Sequence, residues 1–135
     1  MATVFVDISA ALDKHLNDMA GKPPIAWPND EYEPTKDTLY ARPTNLQGET
    51  FAETENDRTN GIYQIDVFAP SGVGKGTAMA MADLIADRFK QDTEITYNSQ
   101  TVRIKTCSYR PIDNSMQGWY QIMIEANYYC FSARR

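Results

Sequence analysis

The sequence predicts an α+β fold, two helices packed on one face of a mostly antiparallel or mixed β-sheet, in an order close to αβββαβββ. Three observations carry this. Two segments repeat apolar residues at spacings of three and four, the period of a helix. The run Ile62-Tyr63-Gln64-Ile65-Asp66-Val67-Phe68 puts Tyr63, Ile65 and Val67 on one face and Gln64 and Asp66 on the other, the signature of a half-exposed antiparallel strand. The run from 118 to 131 alternates in the same way over a greater length.

In chain order, residues 3 to 20 read as a helix whose stripe is Val4, Ile8, Leu12, Leu16 and Met19, with Asp7, Asp13, Lys14 and Asn17 off it. Gly21 and Pro23-Pro24 stop it. His15, the one histidine, reads as a surface residue of this helix. Ile25-Ala26-Trp27 is a short strand closed by Pro28, and residues 38 to 42 form another, ended by Pro43. Segment 44 to 58 is a long polar loop or a hairpin arm, and a connection this long has either a function or no fixed structure.

Asn60-Gly61 marks a turn, or a bend within a strand running to Phe68. A second helix over about 75 to 90 has Ala78, Met81, Ala82, Ile85 and Phe89 on one face and Asp83, Asp87 and Lys90 on the other. Residues 94 to 97 and 101 to 107 make a hairpin around Asn98-Ser99-Gln100. The last strand, 118 to 131, carries Tyr120, Ile122, Ile124, Ala126, Tyr128 and Cys130 on one face. Its other face has aromatic residues at both ends, Trp119 at one and Tyr129 with Phe131 at the other.

Composition narrows the function. With 135 residues and a 42% hydrophobic share, the chain fits one domain over 1–135 with its own core. No apolar stretch is long enough for a membrane span and no signal peptide is evident, which predicts a soluble protein that is not secreted. A net charge of −5 disfavours tight binding to nucleic-acid phosphates. A single histidine cannot supply a zinc cluster with Cys107 and Cys130, nor a His-dependent nucleophilic site. The two cysteines read as buried thiols in a reducing compartment rather than a disulfide.

One motif points elsewhere. Ala69-Pro70-Ser71-Gly72-Val73-Gly74-Lys75-Gly76-Thr77, between a strand and a helix, resembles the phosphate loop of a small nucleotide kinase, in which backbone N–H groups and a lysine hold phosphates. Ala69 stands where that motif needs glycine. The alternating strand before it is not the continuously apolar strand of a doubly wound sheet, and only 58 residues follow Thr77. The simpler reading is a glycine-rich turn that reverses the chain, with Lys75 facing solvent or a neighbouring subunit.

Ile25-Ala26-Trp27-Pro28-Asn29, Leu39-Tyr40-Ala41-Arg42-Pro43, and above all Arg58-Thr59-Asn60-Gly61-Ile62-Tyr63-Gln64-Ile65-Asp66-Val67 with its glycine-rich turn and Ala-rich helix resemble the small tail terminator proteins of long-tailed bacteriophages, the minor tail protein U-like group. The resemblance runs over about 3 to 131. It implies an assembly protein with no catalytic residue, cofactor or metal: a hexameric ring at the head-proximal end of the virion tail, made in the host cytoplasm. Such a ring stops tail tube polymerisation and offers the surface for head attachment. The implied partners are further copies of itself, the major tail tube protein and the head-tail connector protein, with DNA passing through the lumen unbound and no membrane involved. A head-tail joining (neck) protein is the nearest alternative, and a small nucleotide-binding protein the distant one.

A ring built head to tail needs two different, complementary surfaces on each subunit. The candidates are Leu46 and Phe51 in the long segment, Lys75 at the turn, and Trp119, Tyr129 and Phe131 on the last strand. For each aromatic, core packing is the competing explanation. Acids outnumber bases eight to three between 29 and 60, either as a solvated loop or because Glu49, Glu53 and Glu55 line a lumen that repels DNA.

Overall fold

The computed structural model describes residues 4–28, 38–52, 56–70, 75–98, 100–112 and 119–133; the side chains of Val4, Glu49, Phe51, Asn56, Lys75, Ser132 and Ala133 lie outside the description. The elements are α1 (Val4–Asn17), β1 (Tyr40–Ala52), β2 (Asn56–Pro70), α2 (Lys75–Arg88), β3 (Glu94–Tyr97), β4 (Gln100–Ile112) and β5 (Trp119–Ala133). The strands form one antiparallel sheet in the order β1-β2-β5-β4-β3, with α1 and α2 against one face. The predicted α+β class holds. The expected first strand, Ile25-Ala26-Trp27, is reduced to a single parallel bridge between Ile25 and Ala41.

Alternation sets the inner face. Tyr63, Ile65 and Val67 of β2, Ile122, Ile124, Ala126, Tyr128 and Cys130 of β5, and Val102 and Ile104 of β4 are buried beneath the helices. The α1 stripe of Ile8, Leu12 and Leu16 is fully buried against them, each side chain contributing about 1.5–3 kcal/mol by leaving water. Ala78, Ala82, Ile85 and Phe89 do the same for α2. The sheet curls, so that α1 touches both edge strands, β1 and β3, while α2 lies over β5, β2 and β4.

The strands run further than their sequence suggests. β1 passes straight through Pro43, expected to end it, because Pro43 sits on the outer side of an edge strand. Ala41 bonds outward there, its N–H to Pro24 O at 2.9 Å and its O to Ala26 N at 2.8 Å. Two residues on, a missing N–H leaves no ladder bond unmade. Of the 44 to 58 segment, residues 44 to 52 belong to β1 and 56 to 58 to β2, paired antiparallel with a bulge between Gln47 and Thr50. A Cβ on Gly48 in this bulge would fall 2.8 Å from the Asn60 carbonyl oxygen. β4 likewise extends to Ile112, through Pro111.

Gly61 is neither a turn nor a free bend. It pairs with Tyr128 in the middle of β2, and any Cβ there would collide with the Tyr128 ring. The vacant position lets Tyr128 cross β2 and donate its hydroxyl to Asn45 Oδ1 of β1 at 2.6 Å; Asn45 Nδ2 in turn donates to Ser9 Oγ of α1 at 2.8 Å. One turn along α1, Asp13 Oδ1 accepts a 2.6 Å bond from Tyr63 OH. Asp7, read as off the buried stripe, is buried and accepts from Asn98 Nδ2 at 3.3 Å.

His15 also differs from its sequence reading: it is half-buried, edge-on to Phe89 with ring centroids 5.0 Å apart. Its Nε2 lies 2.8 Å from Arg88 O, so that nitrogen carries the proton, and Arg88 Nε donates to His15 O at 3.0 Å. Each side chain thereby caps a carbonyl in the last turn of the other helix, where intrahelical partners run out.

Two predictions follow from this packing. Gly61→Ala should destabilise by about 1–3 kcal/mol in a urea melt, whereas Gly76→Ala, with nothing within 4 Å, should be neutral or stabilising by up to about 1 kcal/mol. Burial, opposed by the bond to Arg88 O, pushes the His15 imidazole below its ordinary 6.5. The unfolded chain therefore binds the proton more readily, and this contribution is complete above pH 6.5 and lost as pH falls through the depressed folded value. Melting curves between pH 7.5 and 5 should show that loss, and His15→Gln should flatten it.

Candidate interaction surfaces

A groove of about 730 Å³ lies between α1 and the outer edge of β1. Phe5, Ser9, Asp13 and Lys14 of α1 form one wall, Pro43, Thr44 and Asn45 the strand side, and Trp27-Pro28 one end. The α1 register that buries Ile8 and Leu12 turns Phe5 outward, leaving it 56% exposed. Asp13 is half-buried here, and desolvation raises its pKa against the opposing bond from Tyr63. Lys14 is held by Asp18 one turn on, at 2.6 Å.

The sheet face away from the helices is not simply solvated. Tyr40 stacks on Phe68 at 5.0 Å, and Trp119 meets Tyr40 edge-on at 5.3 Å, forming a second apolar cluster with Ala26. Beside it Asp66, read from sequence as facing outward, is only 2% exposed. Gln121 Nε2 donates to Asp66 Oδ1 at 2.9 Å and Gln64 Nε2 to Oδ2 at 3.1 Å. The Arg42 guanidinium lies 3.9 Å from the same carboxylate and 5.1 Å from the Phe68 ring centroid. A buried carboxylate is tolerable where amide donors and a cation meet it, which explains the polar residue here.

At the far end of the same face, Arg58 lies 4.7 Å from the Tyr129 ring and 5.8 Å from the Phe131 ring, which pack edge to face. Phe131 is 44% exposed and Leu46 49%. Leu46 shares this face through its rung with Ile62 and Asn127. The structure thus brings Tyr129, Phe131 and Leu46 to one region. Trp119 is ten residues along β5 from Tyr129, roughly 33 Å away at strand rise, and is half-buried in the second cluster. The side chains of Phe51, Lys75 and Glu49, and the whole of Glu53 and Glu55, lie outside the described residues.

Sequence reasoning missed Arg58, Asp66, Gln64 and Gln121. For Arg58 a signal existed, an arginine at the start of an alternating strand in a chain with two aromatic residues near its end. The Asp66 cluster draws on three strands, and no linear spacing reports it.

The chemistry is sparse. Cys107 and Cys130 are free thiols, Cys130 buried and Cys107 half-buried, and burial pushes the Cys107 pKa up to about 11, away from a reactive thiolate. Among the described residues no group of His, Cys, Asp and Glu could hold a metal, and no helix is long and apolar enough to cross a membrane. The strand leading to the glycine-rich segment is antiparallel to both its neighbours, unlike the parallel strand before a phosphate loop.

A family model described as phage tail terminator protein matches residues 7–128. No curated protein matches the chain. A solved structure that bears a serial designation rather than a functional name is similar to it, with a TM-score of 0.76, 20% identity, and 99% of each chain covered. At that identity the likeness shows the fold alone.

Asp66→Ala should cost about 1–3 kcal/mol, because it leaves two amide donors without their acceptor in a closed site. Arg42→Ala should cost less than about 1 kcal/mol, since its side chain is half in solvent. Chemical denaturation of the two variants checks the ordering.

Proposed function

The chain belongs to the phage tail terminator family, and we propose that it closes the head-proximal end of the tail tube as a hexameric ring, stops tube polymerisation and presents the head-attachment surface. The observation that carries this is the family match over 7–128. The surface residues agree in kind, offering exposed apolar and cation-aromatic groups. The family points to a structural virion tail component rather than an enzyme. Tube protein, connector protein and further copies of the chain are the proposed partners, and the DNA passes through without specific contacts.

Within this reading, Leu46, Phe131 and the Arg58–Tyr129 pair form part of a contact surface. Exposed aromatic and arginine groups are the types that dominate protein interfaces. Phe51, Lys75 and Trp119 are proposed contact residues on sequence grounds. Glu49, Glu53 and Glu55 of the hairpin region are proposed to face the lumen, where negative charge would discourage DNA from adhering.

Adding the purified protein to polymerising tube protein should shorten the tubes and leave a disc at one end in electron micrographs. Mass photometry should show hexamers at raised concentration with Mg²⁺. Phe131→Asp should impair ring formation or capping while lowering stability by no more than about 1.5 kcal/mol, the range for loss of an aromatic pair. Tubes that grow to the same length with and without the protein would remove the terminator reading.

A further inference from the structure

Among the described residues the sheet has two open stretches of edge, one on each side. On β1, Ala41 uses its N–H and C=O outward to bind Pro24 and Ala26, and the two-residue period of a strand points the backbone groups of Asn45 and Gln47 the same way. Among the described residues nothing beyond the Ile25 bridge pairs with that side. On the other side β3 covers only 100 to 103 of β4, and the chain before it bonds to Ile104 through Asp92 N and Thr93 O. No described strand lies beside residues 105 to 112.

We propose that the groove beside β1 receives the 105 to 112 stretch of a second copy as an added strand, so that the sheet continues from one subunit into the next. The proposal rests on the ring reading and assigns its contact. Three observations favour a second copy as the occupant. Residues 44 to 52 on one side and 105 to 112 on the other are nearly equal in length. The incoming stretch alternates: Cys107, Tyr109 and Pro111 share the helix-side face, opposite Ala126, Ile124 and Ile122 of β5. Laid beside β1, that face meets the Phe5, Trp27 and Pro43 surfaces of the groove. In the single chain Tyr109 is 40% exposed, with its hydroxyl donating to Asp83 of α2, and Phe5 is 56% exposed.

Arg110 lies on the opposite face of the stretch, 3.9 Å from Glu125 of its own β5, and leaves the groove-facing side apolar. Finally, the two edges belong to opposite sides of one sheet, so their contact is head-to-tail and can propagate around a closed ring.

Hydrogen exchange on the unmodified protein, below and above the concentration at which it assembles, tests this. Ring formation should slow exchange at Asn45 and Gln47 and within 105 to 112 by at least about tenfold, because bonds between subunits would protect them. Phe5→Asp, in the groove and exposed in the single chain, should raise the assembly concentration. Rings whose edge amides exchange as in the monomer would overturn the strand addition and leave the ring reading intact. Protection of Asn45 and Gln47 without the 105 to 112 stretch would overturn β4 as the occupant. A chain that stays monomeric under all conditions, including in the presence of tube ends, would remove the ring and this contact together.

Discussion

The architecture depends on the pairing of β2 with β5, unbroken from Asn56 opposite Ala133 to Pro70 opposite Trp119. A slip of one residue would turn every inner side chain of one strand outward, so the register is fixed by the burial it achieves. With that pair in place, Tyr63, Ile65 and Val67 lie beside Ala126, Ile124 and Ile122, and α2 has a flat apolar surface to cover. The bulges that bend the sheet lie in β1 and β4, the strands flanking the pair, and not within it. Curvature is added at the margins, which brings both edges within reach of α1.

Polar side chains then decide how the layers sit on one another. Ser9 and Asp13, one turn apart on α1, reach tyrosines that rise from different central strands, directly or through Asn45. His15 and Arg88 lock the ends of the two helices to one another. Apolar contact between a helix and a sheet permits sliding at small cost, whereas directional bonds select one position. Among the described residues these links leave Phe5 exposed beside β1, so the groove follows from how the helix is anchored.

Much of this was legible in the sequence. The period of α1 and α2, the alternation of β2 and β5 and the α+β class follow from local pattern, which burial of one face imposes directly. Strand ends were less legible. Pro43 looks like a terminator, but an edge strand tolerates a residue without an N–H, and which strand is an edge depends on the whole sheet. His15 and Asp66 were misread for a related reason. Each is polar and falls on a nominally outward position, yet each meets partners from distant elements that close over it. Of the surface residues chosen from sequence, Tyr129 and Phe131 meet each other because they lie two apart on one strand, while their cation, Arg58, comes from the neighbouring strand.

Gly61 has an implication for how such a chain can change over generations. The space above it is occupied by the Tyr128 ring, and the tyrosine hydroxyl holds Asn45 on the far strand. A larger residue at 61 is tolerable only after 128 has become smaller, while a smaller residue at 128 can arise with glycine still at 61. The two positions therefore admit one order of substitution and resist the other. Along any lineage that drifts at this spot, the tyrosine should be lost first and the glycine only afterwards.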